Sequence, residues 1–139
     1  MTAPGRPAQS FLAFDYGTRR VGVATGNSWL RQATPLRTLN LQGDARMSAI
    51  AALVAEWQPD ALVVGVPYHP DGAAHDNTRR ALRFARQLQG RLGLAVHQVD
   101  ERYTTTEALS QGARDPDAQA AAIILEQFFN ALPEPATTP

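Results

Sequence analysis

The chain has 139 residues, no cysteine and a formal net charge of zero, with 13 acidic residues against 13 basic ones that are all arginine. That length suits one compact domain with a single core. The absent cysteines exclude disulfides and thiolate metal sites, and the balanced charge excludes a uniformly basic surface.

Residues 1–10, MTAPGRPAQS, lack the apolar segment of a signal peptide and are expected to be a disordered tail. Residues 11–16, 21–25 and 34–39 predict three strands with hairpin-length connections, an antiparallel meander. Asp44 is placed to cap a helix running to Trp57, with Met47, Ile50, Leu53, Val54 and Trp57 at helical spacing. Pro59 ends it. Ala61 to Val66, ALVVGV, is a continuous apolar run and predicts a strand buried on both faces. A turn-rich loop, PYHPDGAAHD, leads into a helix ending at Leu92, with Leu82, Ala85, Leu88 and Leu92 on one side and Arg79, Arg83 and Arg86 nearly opposite. Leu94 to Val99 predicts a fifth strand, and the remainder predicts helix broken between Gly112 and Pro116. The expected unit is a single domain over 11–131, followed by a disordered tail at 132–139. No apolar run reaches the roughly 20 residues of a membrane span, so the expectation is a soluble, cytoplasmic protein without a membrane partner. Hairpins followed by strand–helix alternation imply a mixed sheet with helices on its faces.

Three acids sit at the ends of regular elements. Asp15 ends the first strand, and no other acidic residue precedes Asp44. A carboxylate beside a buried strand costs several kcal/mol unless it is paired or metal-bound. Glu101 ends the fifth strand, in VDERYTT, where pairing with Arg102 or another surface arginine is the plainer alternative. Asp117 opens the last helix; Asp115-Pro116-Asp117 also reads simply as a cap, a proline at the first position and an acid facing the dipole. If the first, fourth and fifth strands are parallel, Asp15 and Glu101 emerge at one sheet edge, where ligands of open sheets usually bind. Converging carboxylates repel, and hard divalent cations such as Mg²⁺ or Mn²⁺ relieve that repulsion and can assist phosphodiester hydrolysis. With the fourth strand between them, the first and fifth lie about 10 Å apart, so Glu101 needs its full length to reach Asp15.

Between Asp76 and Asp100 lie Arg79, Arg80, Arg83, Arg86 and Arg91 and no acid. A solvated helix face is the ordinary explanation; phosphate-backbone binding is the other. Arg19, Arg20 and Arg102 flank the acids in sequence. His69 and His75 lie in a loop, and His97 falls on the fifth strand as a packed or surface residue.

The segments FDYGTRRVGVA, EWQPDALVVGVPYHPDG, DERYTTTEA and DAQAAAIILEQFF, collinear from about residue 11 to 130, resemble the YqgF (RuvX) family of RNase H-like proteins. The resemblance implies an α/β RNase H-like fold with a five-stranded mixed sheet of order 3-2-1-4-5 flanked by helices. It implies Asp15, Glu101 and Asp117 as the catalytic, metal-holding triad, with Mg²⁺ or Mn²⁺ as cofactor. It further implies a nuclease acting on structured RNA or branched DNA, at the 5′ end of pre-16S rRNA or at Holliday junctions, where related resolvases work as homodimers. Arg19, Arg20, Arg79, Arg83, Arg86 and Arg102 are then the expected phosphate contacts, with Thr18, Tyr103 and Thr104 as further substrate contacts. The chain departs from the family in two places. Only SQGARDP separates Leu109 from Asp117, where a longer basic insert is usual, and Ala118 replaces the usual serine.

Two other classes share part of the pattern. Asp-x-Gly-Thr after a first strand also begins the phosphate hairpin of actin- and hexokinase-like ATPases, which need a second similar domain. A non-catalytic nucleic-acid-binding assembly factor with vestigial carboxylates is the other; Mn²⁺-dependent cleavage separates it from a nuclease.

Overall fold

The computed structural model describes residues 9–101 and 106–133, except for the side chains of 107 and 108. Strands β1 (Ser10–Tyr16), β2 (Val21–Asn27) and β3 (Gln32–Leu39) precede helix α1 (Gly43–Trp57), strand β4 (Ala61–Val66) and helix α2 (Asp76–Leu92). Strand β5 (Ala95–Asp100), the short helix α3 (Thr106–Ser110) and α4 (Pro116–Ala131) complete the order. The sheet runs β3-β2-β1-β4-β5, as expected. β1 is antiparallel to β2 and β2 to β3, whereas β1, β4 and β5 are parallel.

Strand alternation divides the core into two layers. Leu12, Phe14, Val21, Val23, Leu62 and Val64 face α1 and α2. Phe11, Ala13, Ala61 and Val63 face α4, against Ile124, Leu125 and Phe129. β4 lies between two strands and two helical layers, and all six of its residues are buried. Its continuous apolar composition follows from that position.

Several sequence expectations shift. The β2–β3 hairpin is longer than its apolar pattern, because Thr25, Gly26 and Asn27 continue the ladder opposite Thr34, Ala33 and Gln32. A bulge between Val23 and Ala24 places Pro35 in the edge strand β3, where proline costs no interior ladder bond. Gln42, not Asp44, is the N-cap of α1; Asp44 lies within its first turn. Met47, Ile50 and Leu53 are buried as the spacing requires, but Trp57 is 42% exposed. On α2 the buried face centres on Thr78, Ala81, Phe84, Ala85 and Leu88, with Leu82 and Leu92 only partly covered. Among the described residues no helix is long and apolar enough to cross a membrane.

α4 begins as its sequence indicates. The Asp115 carboxylate caps it by accepting from the Ala118 N–H at 3.2 Å, and Pro116 occupies the first turn. The Thr38 hydroxyl also donates to Asp115, which pins the start of α4 to β3.

Candidate active site

Asp15 follows Phe11 and Ala13 on the α4-facing side of β1 and stands opposite Gly22 of β2. Burial pushes its carboxyl up to about 7, and the nearby Asp117 adds to the rise. A charge in this position is disfavoured by lost hydration and by its neighbour.

Glu101 follows β5 directly, and its N–H donates to the Val66 carbonyl at 3.0 Å, which carries the ladder one step further. The separation between β1 and β5 is bridged by an absence. A Cβ at Gly65 of β4 would lie 2.9 Å from both Cδ and Oε2 of Glu101. The Glu101 side chain therefore runs over the bare backbone of Gly65 toward β1. Burial raises this carboxyl to about 7, and Asp15 and then Asp100 push in the same direction. The side chain thus lies over the intervening strand.

Asp117 arrives on α4, the helix that covers this same face of the sheet. A Cβ at Gly22 would fall 1.9 Å from the Asp117 carbonyl oxygen, so the first turn of α4 rests directly on β2 beside Asp15. Arg20 Nε lies 3.3 Å from Asp117 Oδ2. The helix-start reading of this segment is right for Asp115 and Pro116, and the same helix start brings Asp117 to Asp15.

Thr18, Arg19 and Arg20 are exposed on the β1–β2 turn above this edge. Arg46, which no sequence pattern singled out, is buried beneath that turn: its Nη2 donates to the Thr18 carbonyl at 3.1 Å and its Nε to the Leu41 carbonyl at 2.7 Å. Gly22 and Gly65 were also missed, although glycine inside an apolar strand is itself a signal of close approach.

The α2 arginines do not join the carboxylates. Arg79, Arg83 and Arg86 are exposed, but α2 packs on the opposite face of the sheet from Asp15, Glu101 and Asp117. Arg79 pairs with Asp76 at 3.0 Å; among the described residues Arg83 and Arg86 make no ion pair. Arg102, Tyr103 and Thr104 lie outside the described residues. His75 and Thr78 form the capping box of α2, with the His69 ring 4.7 Å from that of His75. His97 packs against Phe128 at 5.0 Å.

Asp15, Glu101 and Asp117 present only hard oxygen donors, which suit Mg²⁺ or Mn²⁺. Two carboxyls with suppressed ionisation are also what a cation relieves. Among the described residues no three Asp, Glu, His or Cys side chains are gathered closely enough to hold an ion as they stand. Arg20, in contact with Asp117, supplies the countercharge there.

The RuvX family, described as Holliday junction resolvase, matches residues 9–131. A protein of Polaromonas sp. strain JS666, provisionally named a pre-16S rRNA nuclease, is 63% identical over 125 residues, covering 90% of this chain and 91% of its own length. One from Albidiferax ferrireducens with the same provisional name is 65% identical over 124 residues, covering 89% and 80%. Among solved structures, Thermus thermophilus RuvC in complex with a Holliday junction substrate superposes with a TM-score of 0.55 at 14% identity, over 88% of this chain and 94% of that one. RuvC alone gives 0.54 at 13% identity, over 88% and 95%. Identity so low shows a shared fold only. The family match and the close relatives show more: this chain belongs to the RuvX family.

Proposed function

We propose that this chain is a cytoplasmic endonuclease that hydrolyses phosphodiester bonds in structured nucleic acid with a divalent cation, and that it processes the 5′ end of pre-16S rRNA. One observation carries the reading: Asp15 and Glu101 share a half-buried edge across Gly65, with Asp117 beside them. The names of the close relatives point the same way.

Asp15 and Glu101 would hold the cation, with Asp117 as third donor once Arg20 turns to substrate. Bound there, Mg²⁺ or Mn²⁺ supplies a Lewis acid and an activated water for attack on phosphorus. The chain's own groups do the rest. Arg19 and Arg20 on the turn meet the phosphate, and Arg20, which touches Asp117 through Nε alone, can exchange that carboxylate partner for a phosphate oxygen. The half-buried edge limits the hydration of the Asp15 and Glu101 carboxyls.

A Gly65→Ala variant tests the crossing of β4. The new Cβ would meet Ile124 Cδ1 at 2.5 Å and Glu101 Cδ at 2.9 Å. Both are ends of flexible side chains, so the fold should survive with a loss of about 1 kcal/mol. Displacing Glu101 should nevertheless slow cleavage about a hundredfold. Urea unfolding and a cleavage time course, run together, separate the two effects; equal rates in the variant and the parent would remove Glu101 from the site.

Replacing Arg79, Arg83 and Arg86 together by alanine should weaken binding and lower its salt slope. An unchanged slope would return that face to ordinary solvation. The substrate itself is decided by offering a synthetic four-way junction and a pre-16S leader RNA side by side with Mn²⁺. Preferential cleavage of the leader supports the proposal. The family description favours a second reading, junction resolution; it calls for a homodimer on the junction, which sedimentation of the complex would reveal.

A further inference from the structure

On the sheet face away from the carboxylates, α1 and α2 leave between them a groove of about 360 Å³. Arg46, Arg80, Arg83 and Arg91 line it against a single acid, Asp44. Arg91 Nη2 lies 3.3 Å from Asp44 Oδ1 and takes up that charge. Among the described residues Arg80 Nη1 donates to a neutral group, Asn77 Oδ1, at 3.3 Å. Among the described residues Arg80, Arg83 and Arg46 make no ion pair. A solvated helix face ordinarily mixes its signs; a cleft of one sign focuses potential on an anion.

Arg46 makes the strongest case. It is only 6% exposed, and its guanidinium is fixed by the Leu41 and Thr18 carbonyls and lies 5.5 Å from the centre of the Tyr16 ring. All of these partners are neutral. A buried cation without a carboxylate is costly, and an anion in the groove would offset that cost. The Thr18 carbonyl that Arg46 holds belongs to the turn whose Arg20 meets Asp117. The groove thus begins where the carboxylate edge ends, on the other side of one turn.

We infer that this groove is a phosphodiester-binding subsite, holding the backbone of a nucleic-acid strand that passes over the Thr18–Arg20 turn from the carboxylate edge. The inference rests on the nucleic-acid reading above and adds where the strand goes. It also re-sorts the arginines of α2: Arg80 and Arg83 face the strand, whereas Arg79 and Arg86 do not line the groove.

The test measures binding by the full chain carrying Asp15→Asn, with a single-stranded RNA oligonucleotide and inorganic pyrophosphate as separate probes. Arg46 stays intact, because its loss would undo the turn. Gln87 also lines the groove and is exposed, so Gln87→Glu adds an acid without disturbing the core. It should weaken oligonucleotide binding about tenfold at low salt. Replacing Arg80 and Arg83 by alanine should lower the salt slope by about 1.4, and by more than replacing Arg79 and Arg86. Equal losses from the two arginine pairs, or no effect of Gln87→Glu, would overturn the inference. So would groove variants that weaken pyrophosphate binding alone, which would mark a site for small polyphosphates. Groove-dependent binding by a protein whose Asp15-containing parent cleaves neither RNA nor DNA would leave the subsite standing and remove the nuclease reading. Cleavage with groove-independent binding would do the reverse.

Discussion

Asp15→Asn should slow cleavage roughly a thousandfold or more and make the metal-free protein more stable. The two effects have one cause. In the unfolded chain Asp15 and Glu101 give up their protons near 3.8 and 4.5, but in the fold both hold them to about 7. Between those values the folded state binds protons that the unfolded state has lost. Stability is therefore fully present below about 4, falls as pH rises toward 7, and levels off above it. Asparagine keeps the shape and removes Asp15's share of that loss, so above pH 7 the variant should gain roughly 1–3 kcal/mol. Thermal unfolding at pH 5 and pH 8 in chelating buffer reads the effect directly. A variant less stable than the parent at pH 8, with unchanged cleavage, would make Asp15 a structural residue.

Gly22→Ala is expected to do the most damage to the fold. Its Cβ would lie 1.9 Å from the Asp117 carbonyl oxygen, 2.3 Å from Asp117 C and 2.9 Å from Ala118 N. All three are backbone atoms at the start of a helix that Asp115 and Thr38 already pin, and no rotamer change can relieve the clash. The loss should be roughly 3 kcal/mol or more, and cleavage should fail even where the variant remains folded, because Asp117 must leave Asp15. Gly90, inside α2, is the control: nothing lies within 4 Å of a Cβ there, so Gly90→Ala should stabilise by about 0.5–1 kcal/mol. Urea midpoints for the two variants check the contrast. A Gly22→Ala protein as stable as the parent would mean that α4 does not rest on β2 as described.

The parts of this fold that were legible from residues alone are those that depend on chain-local periodicity. The apolar run Phe11 to Phe14 before a turn marked β1, the continuous apolar run marked β4, and Asp115-Pro116 marked the start of α4. The placement of Asp15, Glu101 and Asp117 was legible because each acid ended or opened such an element. What local pattern could not carry was the third dimension. The α2 wheel separated an arginine face from an apolar face, yet periodicity does not say on which side of the sheet a helix packs, and α2 lies on the side away from the carboxylates. Arg46 sits beside Met47 in an ordinary amphipathic stretch, and its burial follows from the Thr18 turn folding over it. The apparent gap between Asp15 and Glu101 closed only when Gly65 was seen to leave the path across β4 bare.

The proposed metal site requires Asp15 and Glu101 to act as one half-buried pair whose ionisation a divalent cation restores. Carbon-detected NMR titration of the two carboxyl groups, with and without saturating Mg²⁺, tests it most directly. Both should titrate near 7 in metal-free protein, and Mg²⁺ should drive both well down into the usual carboxylate range. Two carboxyls that titrate in that range from the start, and that ignore Mg²⁺, would contradict it.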